Sequence, residues 1–163
     1  DVLINNAGIM NTRAAADYGR EQILSILDIN LISAVRASVE LAGRMADAGG
    51  GRIVSVASVA GQIGHPDIWY GISKAGLINA MRSIARSHGG RGVIANSVAP
   101  GPVDTDMMKS IPEARKARLK SATILQRFCT ADEVADAILW LATEAPAYIN
   151  GEVLDLNNGV NYR

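Results

Sequence analysis

Short runs of apolar residues rich in Val and Ile alternate along this chain with longer segments in which apolar positions recur at helical spacing. The pattern predicts strands near 1–5, 52–57, 93–98 and 152–156, and helices near 19–46, 68–88 and 131–144. Strands that alternate with helices imply right-handed crossovers, so we expect an α/β fold on a parallel sheet. The alternation runs through all 163 residues without repeats, which predicts a single domain.

Composition narrows the classes of function. The chain is 48% apolar, and its 16 basic residues balance its 16 acidic ones, so no positive excess favours nucleic acid as a partner. Because Cys129 is the single cysteine, the chain cannot form an intrachain disulfide. We expect Cys129 to be a small buried residue rather than a nucleophile. No Cys/His cluster in the sequence suggests a metal site. Without an uninterrupted apolar run of 18 residues, we expect no membrane partner and a cytoplasmic protein.

Tyr70 and Lys74 are the first sign of chemistry. Residues four apart on a helix share a face, so the Lys74 ammonium can lie against the Tyr70 phenol. At about 4 Å and an effective dielectric of about 20, one positive charge stabilises a phenolate by about 4 kcal/mol. We therefore expect Lys74 to lower the pKa of Tyr70 and to make it a general acid and base near neutral pH.

Polar and small residues follow two of the predicted strands. Ser58 comes just beyond the second strand, and Asn6, Ala7 and Gly8 follow the first. Open α/β sheets bind ligands at these carboxyl ends, and small residues let a flat ligand approach closely. We expect the Ser58 hydroxyl to donate to a carbonyl oxygen while the phenol transfers the proton.

Asn30 is a polar residue on an apolar stripe. The predicted helix at 19–46 has Ile26, Leu27 and Leu31 on the same side as Asn30. A buried amide without hydrogen-bond partners costs several kcal/mol, so Asn30 marks a kink, a water site or a satisfied core amide.

These residues together resemble the short-chain dehydrogenase/reductase family, in which a strand ending Asn-Asn-Ala-Gly, a helix Asn, a Ser and Tyr-x-x-x-Lys form one active site. Residues 96–105 are similar to the family's Pro-Gly segment beside the nicotinamide, and residues 150–159 to its last strand and glycine-containing tail. The resemblance implies the C-terminal part of a Rossmann-type, doubly wound parallel sheet. It also implies hydride transfer between NAD or NADP and a carbonyl or secondary alcohol.

The resemblance assigns roles residue by residue. The catalytic set that it implies is Asn30, Ser58, Tyr70 and Lys74. The residues that it places along the cofactor are Asn6, Ala7, Gly8, Tyr70, Lys74, Pro100, Gly101, Val103 and Thr105. In the reducing direction Tyr70 would protonate the developing alkoxide, and Asn30 would hold a water through the backbone of a kinked helix, so that Lys74 is linked to solvent.

One part of the family pattern has no match in this sequence. The family's opening strand and Thr-Gly-x-x-x-Gly-x-Gly turn, which bind the pyrophosphate, are not found in it. We therefore expect a partial Rossmann-type domain, the catalytic half of a longer protein. Such a fragment alone would be inactive and would associate through the bare edge of its first strand. The residues that choose between NAD and NADP would lie in the absent part.

Residues 104–128 form a polar insert that resembles the family's mobile substrate lid. Its Met107 and Met108 could form an adaptable apolar wall for an acyl or alkyl chain. A short helix predicted after Pro112 carries the basic residues Arg115, Lys116, Arg118 and Lys120. They could attract an acidic carrier protein or a phosphorylated substrate arm, although such a run is more often a solvated helix face.

The substrate and the assembly are implied only coarsely. Residues 92–101 and 126–128 are most similar to the 3-oxoacyl-carrier-protein reductase branch, but alcohol and sugar dehydrogenases share these runs. The substrate would be a small-molecule or acyl-thioester carbonyl. The helices at 19–46 and 68–88 are those through which members form homodimers and homotetramers.

Two alternatives belong to other classes of protein. Ser58, His65 and Asp67 could form a hydrolase triad, but Ser58 lacks the Gly-x-Ser-x-Gly turn that exposes such a nucleophile. The chain could instead be a non-catalytic module kept for subunit association. The presence of all four catalytic-type residues speaks against that second alternative.

Overall fold

In this computed structural model, which describes residues 1–11, 14–109 and 111–162, a four-stranded parallel sheet carries helices on both faces. The strands lie side by side in chain order as β1 (Val2–Asn5), β2 (Gly51–Val56), β3 (Val93–Pro100) and β4 (Val153–Leu156). The α/β fold and the parallel sheet predicted from the sequence are confirmed, and the strand ends differ from the prediction by one or two residues.

The helices follow the predicted order. They are α1 (Arg20–Leu27), α2 (Ser33–Asp47), α3 (Ile68–His88), α4 (Asp106–Lys109), α5 (Glu113–Ser121) and α6 (Ala131–Thr143). Short 3-10 turns lie at Ala15–Asp17, Val59–Gly61 and Gly89–Arg91. The single helix predicted at 19–46 is instead divided by a π-helical segment, Asp28–Ile32, whose wider turn holds an extra residue.

Neighbouring residues of β2 anchor the two faces of the sheet. Ile53 is fully buried beneath α2 and α3, where it packs with residues such as Ala42 and Met81. Val54 points to the opposite face and packs with Leu141 of α6. Because side chains alternate along a strand, this apolar pair fixes β2 as an interior strand covered by helices on both sides.

The parallel register brings polar side chains together near the carboxyl ends of the strands. Asn5 pairs with Ser55 of β2, which pairs with Ser97 of β3. The Asn5 Nδ2 atom donates to the Oγ atoms of Ser55 at 2.9 Å and of Ser38 in α2 at 2.8 Å. These bonds hold the end of β1 in place and leave Asn6 exposed at the edge of the sheet.

The insert predicted at 104–128 contains α4 and α5. Its two ends meet in a parallel bridge between Val103 and Cys129, and the Asp104 amide donates to the Cys129 carbonyl at 2.9 Å. The insert is therefore anchored at its base as a closed loop. Its mobility stays a prediction.

Residues Arg20–Asp47, counted through the π-helical segment, are long and apolar enough by composition to cross a membrane. Core helices of globular proteins pass the same test, so the composition alone is weak evidence. In this structure Ile26, Ala34 and Ala42 of the stretch are buried, the latter two in the core beneath α3.

Candidate active site

A cavity of about 1120 Å³ opens at the carboxyl ends of β1, β2 and β3. The predicted site residues that line it are Asn6, Gly8, Ser58, Tyr70, Lys74, Pro100, Gly101, Val103 and Thr105. Two predicted residues lie outside its lining among the described residues: Ala7 is exposed, and Asn30 is fully buried. Most of the predicted set therefore shares one space.

Ser58 lies between the end of β2 and the turn at Val59–Gly61. Its extended backbone precedes the turn, and its Oγ atom accepts a hydrogen bond from the Ala60 amide at 3.1 Å. This leaves the hydroxyl hydrogen free to point towards Tyr70, whose pKa Ser58 acts to lower. Gly61 lets the turn pack directly on α3, because a Cβ there would come within 2.7 Å of the Lys74 carbonyl carbon.

Tyr70 lies in the first turn of α3, which is capped by Asp67. The Asp67 carboxylate accepts from the Tyr70 amide at 3.1 Å, and its other oxygen accepts from the Asn11 amide at 3.2 Å. Burial raises the pKa of the Tyr70 phenol above its usual value, the Ser58 hydrogen bond opposes that rise, and the Asp67 charge adds to it. The phenol is therefore protonated at neutral pH.

The expected effect of Lys74 on Tyr70 is wrong in this structure. The Lys74 Nζ atom donates to the Val56 carbonyl at 2.8 Å and lies 5.8 Å from the centre of the Tyr70 ring. Lys74 is only 4% exposed, and burial lowers its own pKa to about 8. Burial is the largest cause of both pKa shifts, because the phenolate and the ammonium both lose water.

Asn30 lies in the π-helical segment, which agrees with the predicted kink. Its Oδ1 atom accepts from the Ile9 amide at 2.7 Å, and its Nδ2 atom donates to the Ile9 carbonyl at 2.8 Å and to Ser73 Oγ at 3.1 Å. The side chain thus ties the segment after β1 to α3. A Cβ on Gly8 would approach Lys74 Nζ at 3.2 Å and Asn30 Oδ1 at 3.5 Å, so a glycine fits this crowded place.

Sequence reasoning missed the roles of Asp67 and Ser73. An acidic residue three positions before Tyr70, at the start of a helix, is a recognisable N-cap signal. Ser73 could not have been found in this way, because its Oγ atom connects the Tyr70 carbonyl at 2.7 Å with Asn30, which is 43 positions away.

The contacts of His65 do not assemble a hydrolase triad. The His65 Nδ1 atom accepts from the Asp67 amide at 3.1 Å, whereas the Asp67 carboxylate binds backbone amides. The imidazole packs against Tyr70 with 5.4 Å between ring centres and lines the cavity. His65 therefore forms part of the cavity wall, and Ser58 lines the same cavity with Tyr70.

Cys129 is half-buried beside Glu133, outside the large cavity. Burial raises the pKa of its thiol to about 11, and Glu133 adds to the rise. At neutral pH it stays a thiol, a weak nucleophile. Within the described residues, no group of three His, Cys, Asp or Glu side chains could hold a metal ion.

The outer wall of the cavity comes from the insert. Met107 and Met108 of α4 line it, together with Arg115 and Arg118 of α5. The inner end of the cavity is formed by strand ends in which small residues recur. The cavity is large enough for the nicotinamide portion of a dinucleotide and a substrate. The residues present therefore fit the cofactor that the sequence suggests.

Comparisons with known proteins agree with this geometry. The family described as Enoyl-(Acyl carrier protein) reductase matches residues 1–161. Nodulation protein G of Azospirillum brasilense is 32% identical over 100% of this chain and 67% of its own length. The 3-oxoacyl-[acyl-carrier-protein] reductase FabG of Escherichia coli K12 is 35% identical over 98% of this chain and 66% of its own length.

The fold matches solved structures as well. A protein from Beutenbergia cavernae, assigned as an NAD(P)-dependent gluconate 5-dehydrogenase and solved with NADP at low occupancy, superposes with a TM-score of 0.95 and 31% identity. The match covers 98% of this chain and 66% of that one, so the chain spans about two thirds of the length of its relatives. The chain belongs to the short-chain dehydrogenase/reductase family of oxidoreductases.

Proposed function

We propose that the protein transfers a hydride between NAD or NADP and a carbonyl/secondary alcohol pair, with the catalytic groups in this chain. The observation that carries the proposal is that Ser58, Tyr70 and the buried Lys74 line the inner end of one large cavity, with Lys74 Nζ 5.8 Å from the centre of the Tyr70 ring. A proton donor, a polarising hydroxyl and a cation are the groups that carbonyl reduction needs.

The raised pKa of Tyr70 suits the reducing direction. When bound, the reduced nicotinamide supplies a hydride to the carbonyl carbon, and the C=O π electrons move onto the oxygen. Ser58 donates a hydrogen bond to that oxygen, and Tyr70 gives it a proton, so that a ketone becomes a secondary alcohol and the phenol becomes a phenolate. The phenol holds its proton until the far more basic alkoxide forms.

Lys74 and Asn30 support that step. The proton lost by Tyr70 must be replaced, and Lys74, whose pKa is lowered to about 8, can exchange protons near neutral pH. Asn30 fixes the segment after β1 against α3 and so keeps Gly8 beside the Lys74 ammonium. The proposed water held by the π-helical backbone would link Lys74 to solvent.

The cofactor would lie along the strand ends. The residues proposed to hold it are Asn6, Ala7, Gly8, Tyr70, Lys74, Pro100, Gly101, Val103 and Thr105. A Cβ on Gly101 would come within 3.1 Å of the Asn157 Cα atom, which supports tight packing of this loop on the tail after β4. The insert would act as a lid.

Two substrate classes are supported by different relatives. Similarity to 3-oxoacyl-[acyl-carrier-protein] reductases favours a 3-oxoacyl thioester, and the superposition on the Beutenbergia protein favours a keto sugar acid. Exposed apolar residues on the helices also support a homodimer or homotetramer, among them Ile32, Val39 and Ile72.

The test is an assay of the complete protein. NADH or NADPH is mixed with a panel of ketones and 3-oxoacyl thioesters, and the loss of reduced nicotinamide absorbance is followed. We expect turnover with at least one carbonyl substrate. If no member of the panel is reduced and no secondary alcohol is oxidised, the proposed activity is wrong.

A further inference from the structure

The charges around the large cavity are all of one sign. Its lining contains three cationic side chains, Lys74, Arg115 and Arg118, and no Asp or Glu among the described residues. Lys74 is engaged at the inner end by the Val56 carbonyl. Arg115 and Arg118 are on the outer wall, so this side of the cavity carries two positive charges.

The four basic residues of α5 divide into two kinds. Lys116 pairs with Glu113 at 2.7 Å, and Lys120 lies 5.0 Å from the centre of the Phe128 ring. In the part of the chain that the structure describes, Arg115 and Arg118 form no ion pair, and they are the two that line the cavity. If α5 were only a solvated helix face, there would be no reason for Arg115 and Arg118, the two cations without an ion-pair partner in the described chain, to be the ones that line the cavity.

The helical spacing places Arg115 and Arg118 on the same face of α5. Positions three apart are neighbours on one face, and Leu119 and Ala122 of the same segment also line the cavity. Arg115 is half-buried and Arg118 is exposed, so the pair sits at the mouth. Guanidinium groups stay charged at any ordinary pH and bind carboxylates and phosphates with two parallel hydrogen bonds.

We propose that the substrate of this site carries a carboxylate or phosphate group remote from its carbonyl, bound by Arg115 and Arg118. This inference rests on the proposed oxidoreductase function. Met108 and Ile111, which are 8% and 5% exposed, line the same cavity and would contact the chain between the two polar ends of the substrate. The arginines then select the substrate by its anion, while Ser58 and Tyr70 act on its carbonyl.

The experiment compares matched ketones with the complete protein. An oxo carboxylate, its methyl ester, and an oxo phosphate monoester of similar length are assayed with wild type, Arg115→Gln, Arg118→Gln and the double variant. Lys116→Gln is the control, because Lys116 lies on the same helix but pairs with Glu113. Calorimetric binding of each ketone is measured on the same preparations, so the anion site is tested even without turnover.

We expect kcat/KM for an anionic ketone to exceed that for the ester by at least about tenfold, and the double variant to remove that preference, as for a charge-assisted pair. The carboxylate and phosphate arms show which anion fits. Equal use of ester and acid by wild type would overturn the inference while leaving the oxidoreductase function intact. A rise confined to the KM of NADH or NADPH would also overturn it, because the arginines would then serve the cofactor.

Discussion

The inner end of the cavity and its outer wall are built in different ways. At the inner end Ser58 and Lys74 bond to backbone groups, and Tyr70 lies in the first turn of α3, which Asp67 caps. At the outer wall Arg115 and Arg118 lie on a short helix and have no charged partner in the described chain. A fixed network suits a proton transfer that needs one geometry, and unpaired cations suit recognition of a ligand. Under the proposed function, the inner end would carry out the reaction and the outer wall would select the substrate.

Removal of the proton donor should have the largest effect at the inner end. We expect Tyr70→Phe in the complete protein to lower turnover by about 10²–10⁴-fold, the range for general acid catalysis, with cofactor binding retained because the ring remains. Steady-state kinetics and cofactor titration measure the two quantities. Tyr148→Phe is the matched control, since Tyr148 is fully exposed at 101%. More than about a tenth of wild-type turnover in Tyr70→Phe would contradict the role of Tyr70.

The buried ammonium should make stability depend on pH. The pKa of Lys74 is about 8 in the folded protein and 10.5 when unperturbed. Between these values the unfolded chain binds more protons, so the free energy of unfolding rises with pH, by about 2–3 kcal/mol from pH 8 to 10.

Urea unfolding at both pH values should show that rise in wild type and lose it in Lys74→Met. Lys109→Met is the control, because the Lys109 side chain is 80% exposed and should leave the rise unchanged. The same rise in Lys74→Met as in wild type would show that Lys74 is not the source of it.

Loss of the Asn30 amide tests how rigid the inner end must be. Asn30→Ala removes bonds to the Ile9 backbone and Ser73, and unpaired buried groups cost about 1–3 kcal/mol each. We expect the free energy of unfolding to fall by about 2 kcal/mol, with a weaker effect if water replaces the amide. Asn79→Ala on the exposed face of α3 is the control. Equal stability of the two variants would show that the Asn30 hydrogen bonds do not stabilise the inner end of the cavity.

The smallest effect is expected at the outer wall. Lys116→Gln breaks the pair with Glu113, whose carboxylate is exposed, and exposed ion pairs contribute little to stability. We expect the urea midpoint and the turnover to stay within experimental scatter of wild type. A clear loss of stability would show that the wall is as rigid as the inner end.

The sequence contained the parts of this site that depend on local pattern. The β-strands and α3 follow from apolar runs, and the Tyr70–Lys74 spacing together with the family resemblance predicted catalytic residues that share the large cavity, except for the buried Asn30. The π-helical segment was predicted only as a kink, because its wider turn is stabilised by contacts of Asn30 with Ile9, 21 positions away.

The electrostatics were predicted less well. The spacing of Tyr70 and Lys74 suggested a depressed phenol pKa, but it gave no information on burial or on the Val56 carbonyl, which reaches Lys74 from 18 positions away. The Lys116–Glu113 pair is local, but the contact of Lys120 with Phe128 and the cavity-side position of Arg115 and Arg118 depend on how α5 packs. Contacts of this kind arise from tertiary packing, which a local sequence pattern does not reveal.

The most direct test of the central claim follows the hydride itself. The complete protein, as wild type and as Tyr70→Phe, is incubated with NADH or NADPH deuterated at the transferring carbon and with a ketone that is turned over. The product alcohol is then analysed by NMR. We predict deuterium on the carbinol carbon with wild type and almost none with Tyr70→Phe, although both bind the cofactor. An alcohol without deuterium, or equal labelled product from both proteins at equal rates, would contradict proton delivery by Tyr70 coupled to hydride transfer.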